Sequence, residues 1–268
     1  MAAPLGQTAL ITGASSGIGY ELTKRFAQEG YDLVMVARSE EPLRRCAAAL
    51  QAASGVSTTV IAMDLARPSA PGELARQLEA AGRSIDVLIN NAGFGAHGPF
   101  AETDLAAELE MVQVNVVAVM ELTKRLLPGM LERRRGMILN VASTAAFQPG
   151  PLMAVYYATK AYLLSFSEAL ANELRGTGVS VTALCPGPTR TSFQQRSGME
   201  HSRLMSGALM EAEAVARCGY EGLMRRQVVV IPGWKNRLLA FGVRLLPRSV
   251  VTRAVRRLQE SRPRASAV

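Results

Sequence analysis

Tyr156 and Lys160 stand four residues apart in a stretch, 156–175, whose apolar residues recur with a helical period. That spacing puts both side chains on one helix face, about one turn apart. A cation beside a phenol favours its ionised form. A free tyrosine titrates near 10, so bringing one close to neutrality takes about 3 units, or ~4 kcal/mol. A phenol shifted in this direction can exchange a proton with a carbonyl or alcohol oxygen. Tyr157 points about 100° away around the same helix and lacks the four-residue spacing to Lys160. Ser143 precedes Tyr156 by thirteen residues, just past a strand-like run.

Seven short β-branched or aliphatic runs must position these groups: 8–12, 32–37, 57–63, 86–90, 136–142, 179–185 and 227–231. They are almost continuously apolar, as in strands buried on both faces of a parallel sheet. The segments between them are long enough for the crossover helices that parallel pairing requires. The expectation is an α/β fold: a doubly wound parallel sheet of about seven strands, Rossmann-like, in a single domain. Ser143 then falls at the carboxyl edge of the sheet, where ligands of such folds bind.

After the first run comes Thr12-Gly13-Ala14-Ser15-Ser16-Gly17-Ile18-Gly19, followed by a helical stretch from Tyr20 to Gln28. Glycines let the backbone approach a pyrophosphate, and the helix start offers free N–H groups and a positive dipole end. A dinucleotide is the natural ligand. The second run ends in Ala37-Arg38-Ser39, with no acid to bind the ribose diol of NAD and an arginine able to accept the 2′-phosphate of NADP. NADP is therefore expected over NAD.

The TGxxxGxG spacing, the Tyr156/Lys160 pair and Ser143 together resemble the classical short-chain dehydrogenase/reductase family, and the resemblance extends over about residues 6–232. It implies an NADP-dependent oxidoreductase that interconverts a carbonyl and an alcohol by hydride transfer. Tyr156 would handle the proton, Ser143 would hydrogen-bond the substrate oxygen, and Asn115, in a helix over 104–131, would fix Lys160 through a water. The cofactor would lie along Gly13, Ser15, Ser16, Gly17, Ile18 and Gly19, then Arg38 and Ser39, and Asp64-Leu65 at the adenine. Asn91, Ala92 and Gly93 of an NNAG sequence would line it. So would Tyr156, Lys160 and a turn supplying Pro186, Gly187, Thr189 and Thr191. Asp86 is expected to hold structure only. The family also implies a homo-oligomer.

The resemblance further implies that residues 191–212 form a variable lid over the substrate. Phe94, Phe147, Met153, Phe193 and Met199 would make an apolar pocket if they face inward, which fits a hydrophobic ketone, aldehyde or acyl-type substrate. His97 and His201 have no ligand-spaced partners and read as loop residues, so no metal is expected.

The three cysteines are widely spaced and form no CxxC pair, the first residues carry no secretory pattern, and no run of about 18 apolar residues occurs. A cytoplasmic protein is expected. The net charge is +8, but its distribution is uneven: residues 225–268 hold 11 Lys plus Arg and one acid, while the preceding residues hold 19 bases and 21 acids. The division expected is a catalytic domain over 1–232 and a basic helical extension over 233–268. There Leu238, Leu239, Gly242, Leu245 and Leu246 share one helical face. After Pro247, Val250, Val251, Ala254, Val255 and Leu258 share another, opposite Arg253, Arg256 and Arg257. Such a pair can lie peripherally on an anionic membrane, or pack on the body or on a second subunit. Aromatic interleaving is absent, which argues against nucleic acid. A catalytically silent cofactor-binding or membrane-docking scaffold is the competing reading; the intact Asn115, Ser143, Tyr156 and Lys160 argue against it.

Overall fold

The computed structural model describes residues 6–199, 202–207 and 209–260; His201 lies outside them. The elements run β1 Thr8–Thr12, α1 Gly17–Gln28, β2 Asp32–Ala37, α2 Glu40–Ser54, β3 Thr58–Ala62, α3 Ala70–Ala80, β4 Val87–Asn90, α4 Leu105–Val112, α5 Ala118–Glu132, β5 Gly136–Val141, α6 Ala154–Glu173 and β6 Val179–Leu184. There follow β7 Thr189–Arg190, α7 Phe193–Arg196, β8 Met210–Glu211, α8 Ala212–Met224, β9 Val229–Val230, α9 Trp234–Gly242 and α10 Arg248–Gln259. Each of the seven apolar runs is a strand of one sheet, in the order β3-β2-β1-β4-β5-β6-β9. All pairings are parallel.

The sheet is buried on both faces. One face carries Leu22 and Phe26 of α1, Leu43 of α2 and Val215 of α8; the other carries Leu74 of α3 and Leu122 of α5. Strand β1 accordingly has no exposed position, and its residues pack alternately into the two layers. The winding reverses between β1 and β4, which pair directly although five elements separate them in the chain. At that reversal the loops diverge and open a crevice at the carboxyl edge.

Two features escape the apolar periodicity. The expected long helix over 104–131 is two helices joined by a π-helical turn, Gln113–Val117, centred on Asn115. The sheet is supplemented by a two-residue pair, β7 with β8, which ties the loop after β6 to the start of α8. Neither has enough residues to give a periodic signal.

Asp86 is buried at the base of the sheet, where it accepts from the Thr8 N–H at 3.0 Å and pairs with Arg135 at 2.8 Å. That is a structural task at the edge remote from the crevice. α10 covers the other end: Val251 and Val255 are buried against Met153, Tyr157 and Met199. Among the described residues no helix is long and apolar enough to cross a membrane.

Candidate active site

The loops after six strands converge on one cleft, lined in turn by Gly13, Arg38, Asp64, Asn91, Ser143 and Pro186. Its glycine turn is shaped by positive φ at Gly13 (66°) and Gly17 (55°), a region that favours residues without a Cβ. Asn91 clamps the turn from the neighbouring loop. Its Nδ2 donates to the Thr12 carbonyl at 2.9 Å and to that of Gly13 at 3.2 Å, and a Cβ on Gly13 would come within 2.7 Å of it. The Thr12 hydroxyl accepts from the Asn91 and Ala92 N–H groups, both at 3.0 Å.

Gly19 stands behind the turn rather than in the cleft, where a Cβ would collide with the Gly13 carbonyl. Its part is therefore close helix–strand packing. The expected lining at Ser15, Ser16, Gly17, Ile18, Ser39, Leu65, Ala92, Gly93, Gly187, Thr189 and Thr191 is all present. Asp64 is in the lining too, and its Oδ1 also accepts from the Ala66 N–H at 3.0 Å.

The cleft suits a phosphorylated dinucleotide. α1 begins at Gly17 with no side-chain cap, leaving its first N–H groups for an anion. Arg38 lines the cleft, is exposed, and has no ion-pair partner among the described residues. Arg196, from the short helix α7, donates to the Ser16 hydroxyl at 3.1 Å and adds a second cation over the turn. Nothing in its local sequence marks it, because the contact spans 180 residues.

α6 presents Tyr156 and Lys160 to the cleft. The Lys160 ammonium lies 5.7 Å from the Tyr156 ring centre and donates to the Val141 carbonyl at 2.8 Å. Burial pushes its pKa down to about 8. Burial likewise raises the Tyr156 phenol above the ordinary tyrosine value, against the lowering effect of a hydrogen bond with Ser143. The sequence spacing suggested a phenol drawn toward neutrality by its lysine. In the folded chain desolvation dominates both groups, and Tyr156 holds its proton at neutral pH.

Ser143 sits directly past β5. Its hydroxyl accepts from the Ala145 N–H at 3.1 Å and reaches the Pro186 carbonyl at 3.4 Å. Asn115 does not line the cleft; it is fully buried on the π-helical turn. Its Oδ1 accepts from the Phe94 N–H at 3.1 Å, and its Nδ2 donates to the Phe94 carbonyl at 2.9 Å and to Thr159 at 3.1 Å. Thr159 in turn donates to the Tyr156 carbonyl at 2.7 Å. Asn115 thus links the loop after β4 to the helix that carries Tyr156.

Phe94, Met153, Phe193 and Met199 face the cleft as expected, joined by Leu204. Phe147 does not: it packs beside Ala142 and Leu163 with the Arg244 guanidinium 5.9 Å from its ring centre. Two polar residues at this end were not anticipated as site residues. Tyr157 is buried, and its hydroxyl accepts from Gln259 Nε2 at 2.7 Å. Gln259 comes from α10, has no exposed surface, and bonds His97 through its backbone carbonyl at 2.9 Å.

A family model for short chain dehydrogenases matches residues 7–201. The chain belongs to that family. It is 37% identical over 216 residues to the ketoacyl reductase HetN of Nostoc sp., covering 77% of this chain and 75% of that one. Among solved structures, it resembles a short-chain dehydrogenase from Sphingobium yanoikuyae in complex with NADPH at 35% identity and a TM-score of 0.81, covering 89% of this chain and 93% of that one. It also resembles the bulky-bulky ketone specific alcohol dehydrogenase from Comamonas testosteroni at 31% identity and a TM-score of 0.76, covering 89% and 92%. As a short-chain dehydrogenase, the chain carries out carbonyl/alcohol oxidoreduction. The family match ends before α8, α9 and α10, so the contribution of α10 to the cleft comes from residues beyond the matched segment.

Proposed function

We propose that this short-chain dehydrogenase is an NADPH-dependent reductase of a hydrophobic ketone or acyl-type carbonyl, with Tyr156, Ser143 and Lys160 at the reacting end and Asn115 as a positioning residue. The observation that carries the proposal is one cleft lined both by Ser143 and the Tyr156 phenol, which burial keeps protonated, and by Arg38, which has no ion-pair partner among the described residues, beside the glycine turn. Arg38 would take the 2′-phosphate, the α1 N-terminus the diphosphate, and Lys160 the ribose hydroxyls. When bound, NADPH supplies the hydride to the carbonyl carbon. Tyr156 gives its proton to the carbonyl oxygen, and the Ser143 hydroxyl donates to the oxygen as negative charge develops there. Lys160, with its ammonium beside the Tyr156 ring, stabilises the phenolate left behind. A phenol that keeps its proton at neutral pH fits the reductive direction. The NADPH complex of the Sphingobium relative supports the cofactor, and the ketoacyl and bulky-ketone relatives support a hydrophobic substrate.

The test follows NADPH absorbance across a panel of bulky ketones and acyl thioesters. Loss of a positioned general acid costs about 10²- to 10⁴-fold, so Tyr156→Phe is expected to lower kcat by that factor while still binding NADPH. Equal rates for wild type and variant would remove Tyr156 from the reaction.

A further inference from the structure

Helix α9 is amphipathic in the opposite sense from a helix that merely covers a core. Its body face is Asn236, Ala240 and Val243. The Asn236 amide donates to the Pro232 carbonyl at 2.8 Å and would lie 2.6 Å from a Cβ on Gly187, while Val243 packs with the Val251 and Val255 cluster of α10. At 100° per residue the opposite direction belongs to Trp234, Leu238 and Phe241, and Leu245 follows in the turn beyond. These four are 60–72% exposed, with Leu239 and Leu246 exposed beside them. Four large apolar side chains thus form one outward strip, with two more exposed on its flank, a surface that ordinarily marks an interaction site.

The strip is set among cations. Lys235, Arg237 and Arg244 flank it, and Arg248, Arg253, Arg256 and Arg257 project from α10, all exposed. The one acid between residues 234 and 260 is Glu260, paired with Arg256 at 3.5 Å. α10 itself is anchored by Val251, Val255 and Gln259, so its arginines are held on a fixed support. An apolar stripe bordered by Lys and Arg is the pattern of a helix lying in a lipid interface. A second copy on the same strip would bring two sets of seven cations together. An anionic surface neutralises them.

We propose that α9 is an interfacial anchor, laying Trp234, Leu238, Phe241 and Leu245 into the headgroup boundary of an anionic lipid surface while the flanking cations contact lipid phosphates. Because α9 is seated on Gly187, in the loop that lines the cleft, docking holds the site beside the apolar phase into which hydrophobic carbonyl compounds partition. The anchor itself does not depend on the catalytic reading.

Trp234 is the only tryptophan in the chain, which makes it a single-site reporter. The full-length protein is mixed with phosphatidylcholine vesicles or with mixed phosphatidylcholine–phosphatidylserine vesicles. With the anionic vesicles the Trp234 emission is expected to shift to the blue and the protein to co-sediment; with phosphatidylcholine alone it stays in the supernatant. Leu238→Ser/Phe241→Ser/Leu245→Ser, which alters only outward residues, abolishes both signals and leaves circular dichroism and thermal unfolding unchanged. Arg253→Gln/Arg256→Gln/Arg257→Gln lowers partitioning about 100-fold, taking ~1 kcal/mol per basic side chain near an anionic surface and ~1.4 kcal/mol per decade. Three results overturn the proposal: no shift with anionic vesicles, equal binding to neutral ones, or a lipid-free shift that grows with protein concentration as the mass doubles. The last would assign the strip to a second copy of the chain.

Discussion

Replacing Lys160 by Met is expected to change the sign of its effect on stability between neutral and alkaline pH. Burial lowers the Lys160 pKa from its ordinary 10.5 to about 8 in the folded chain. Below pH 8 both folded and unfolded states carry the proton, and the folded state bears the full cost of a desolvated ammonium, roughly 2.5 units or ~3 kcal/mol. Between 8 and 10.5 the unfolded chain binds the proton and the folded chain does not, so stability rises with pH and the cost disappears. Methionine keeps an unbranched stem of similar length and removes the charge, but gives up the 2.8 Å bond to the Val141 carbonyl, worth about 1–3 kcal/mol. At pH 7 the variant is therefore about 0–2 kcal/mol more stable than wild type. By pH 9.5 wild type regains roughly 2 kcal/mol of the difference and the order reverses. Urea unfolding of the cofactor-free protein, followed by far-UV circular dichroism at both pH values, reads this directly. Groups that do not interact with Lys160 cancel in the difference between the two proteins, and the Cys185 thiol, which does, stays protonated at both pH values because burial pushes it up to about 12. If Lys160→Met were destabilising by the same amount at both pH values, the argument that burial holds this ammonium at a cost would be wrong.

Two further predictions rest on single contacts. Arg38→Ala removes the one exposed guanidinium lining the cleft after β2. It is expected to raise KM for NADPH about 10- to 100-fold, the worth of a charged hydrogen bond, with little change for NADH; parallel losses for both cofactors would refute the assignment. Tyr157→Phe leaves the buried Gln259 amide without its 2.7 Å acceptor. It should cost about 1–3 kcal/mol in thermal or urea unfolding while turnover at Tyr156 persists; abolished turnover in a folded variant would transfer the proton-donor role to Tyr157.

The core of the fold was legible because strands buried on both faces must be apolar almost throughout, and each of the seven runs marks a strand to within a few residues. The glycine turn was legible for a similar reason: positive φ at Gly13 and Gly17 restricts residue type strongly enough to leave a signature. Tyr156, Lys160 and Ser143 could be assigned to one site because two share a helix turn and the third follows a strand at a known edge. Local spacing could not decide their ionisation. The pKa of Lys160 and of Tyr156 follows from how much of the chain covers them, and that covering comes from segments far away in sequence.

The tail shows the same division most sharply. Its amphipathic periodicity and its cations were plain in the sequence, as was the sharing of one face by Leu238 and Leu245. A helical period says which residues lie together, not which way they point. Only the tertiary structure decided that α10 turns Val251, Val255 and Gln259 onto the body, the two valines against Met153, Tyr157 and Met199, whereas α9 turns Asn236 and Ala240 inward and its leucines out. The physical reason is that orientation is fixed by the partner surface: the Met153–Tyr157–Met199 cluster has room for two valines of α10, and the bare backbone at Gly187 admits the Asn236 amide where a side chain would exclude it.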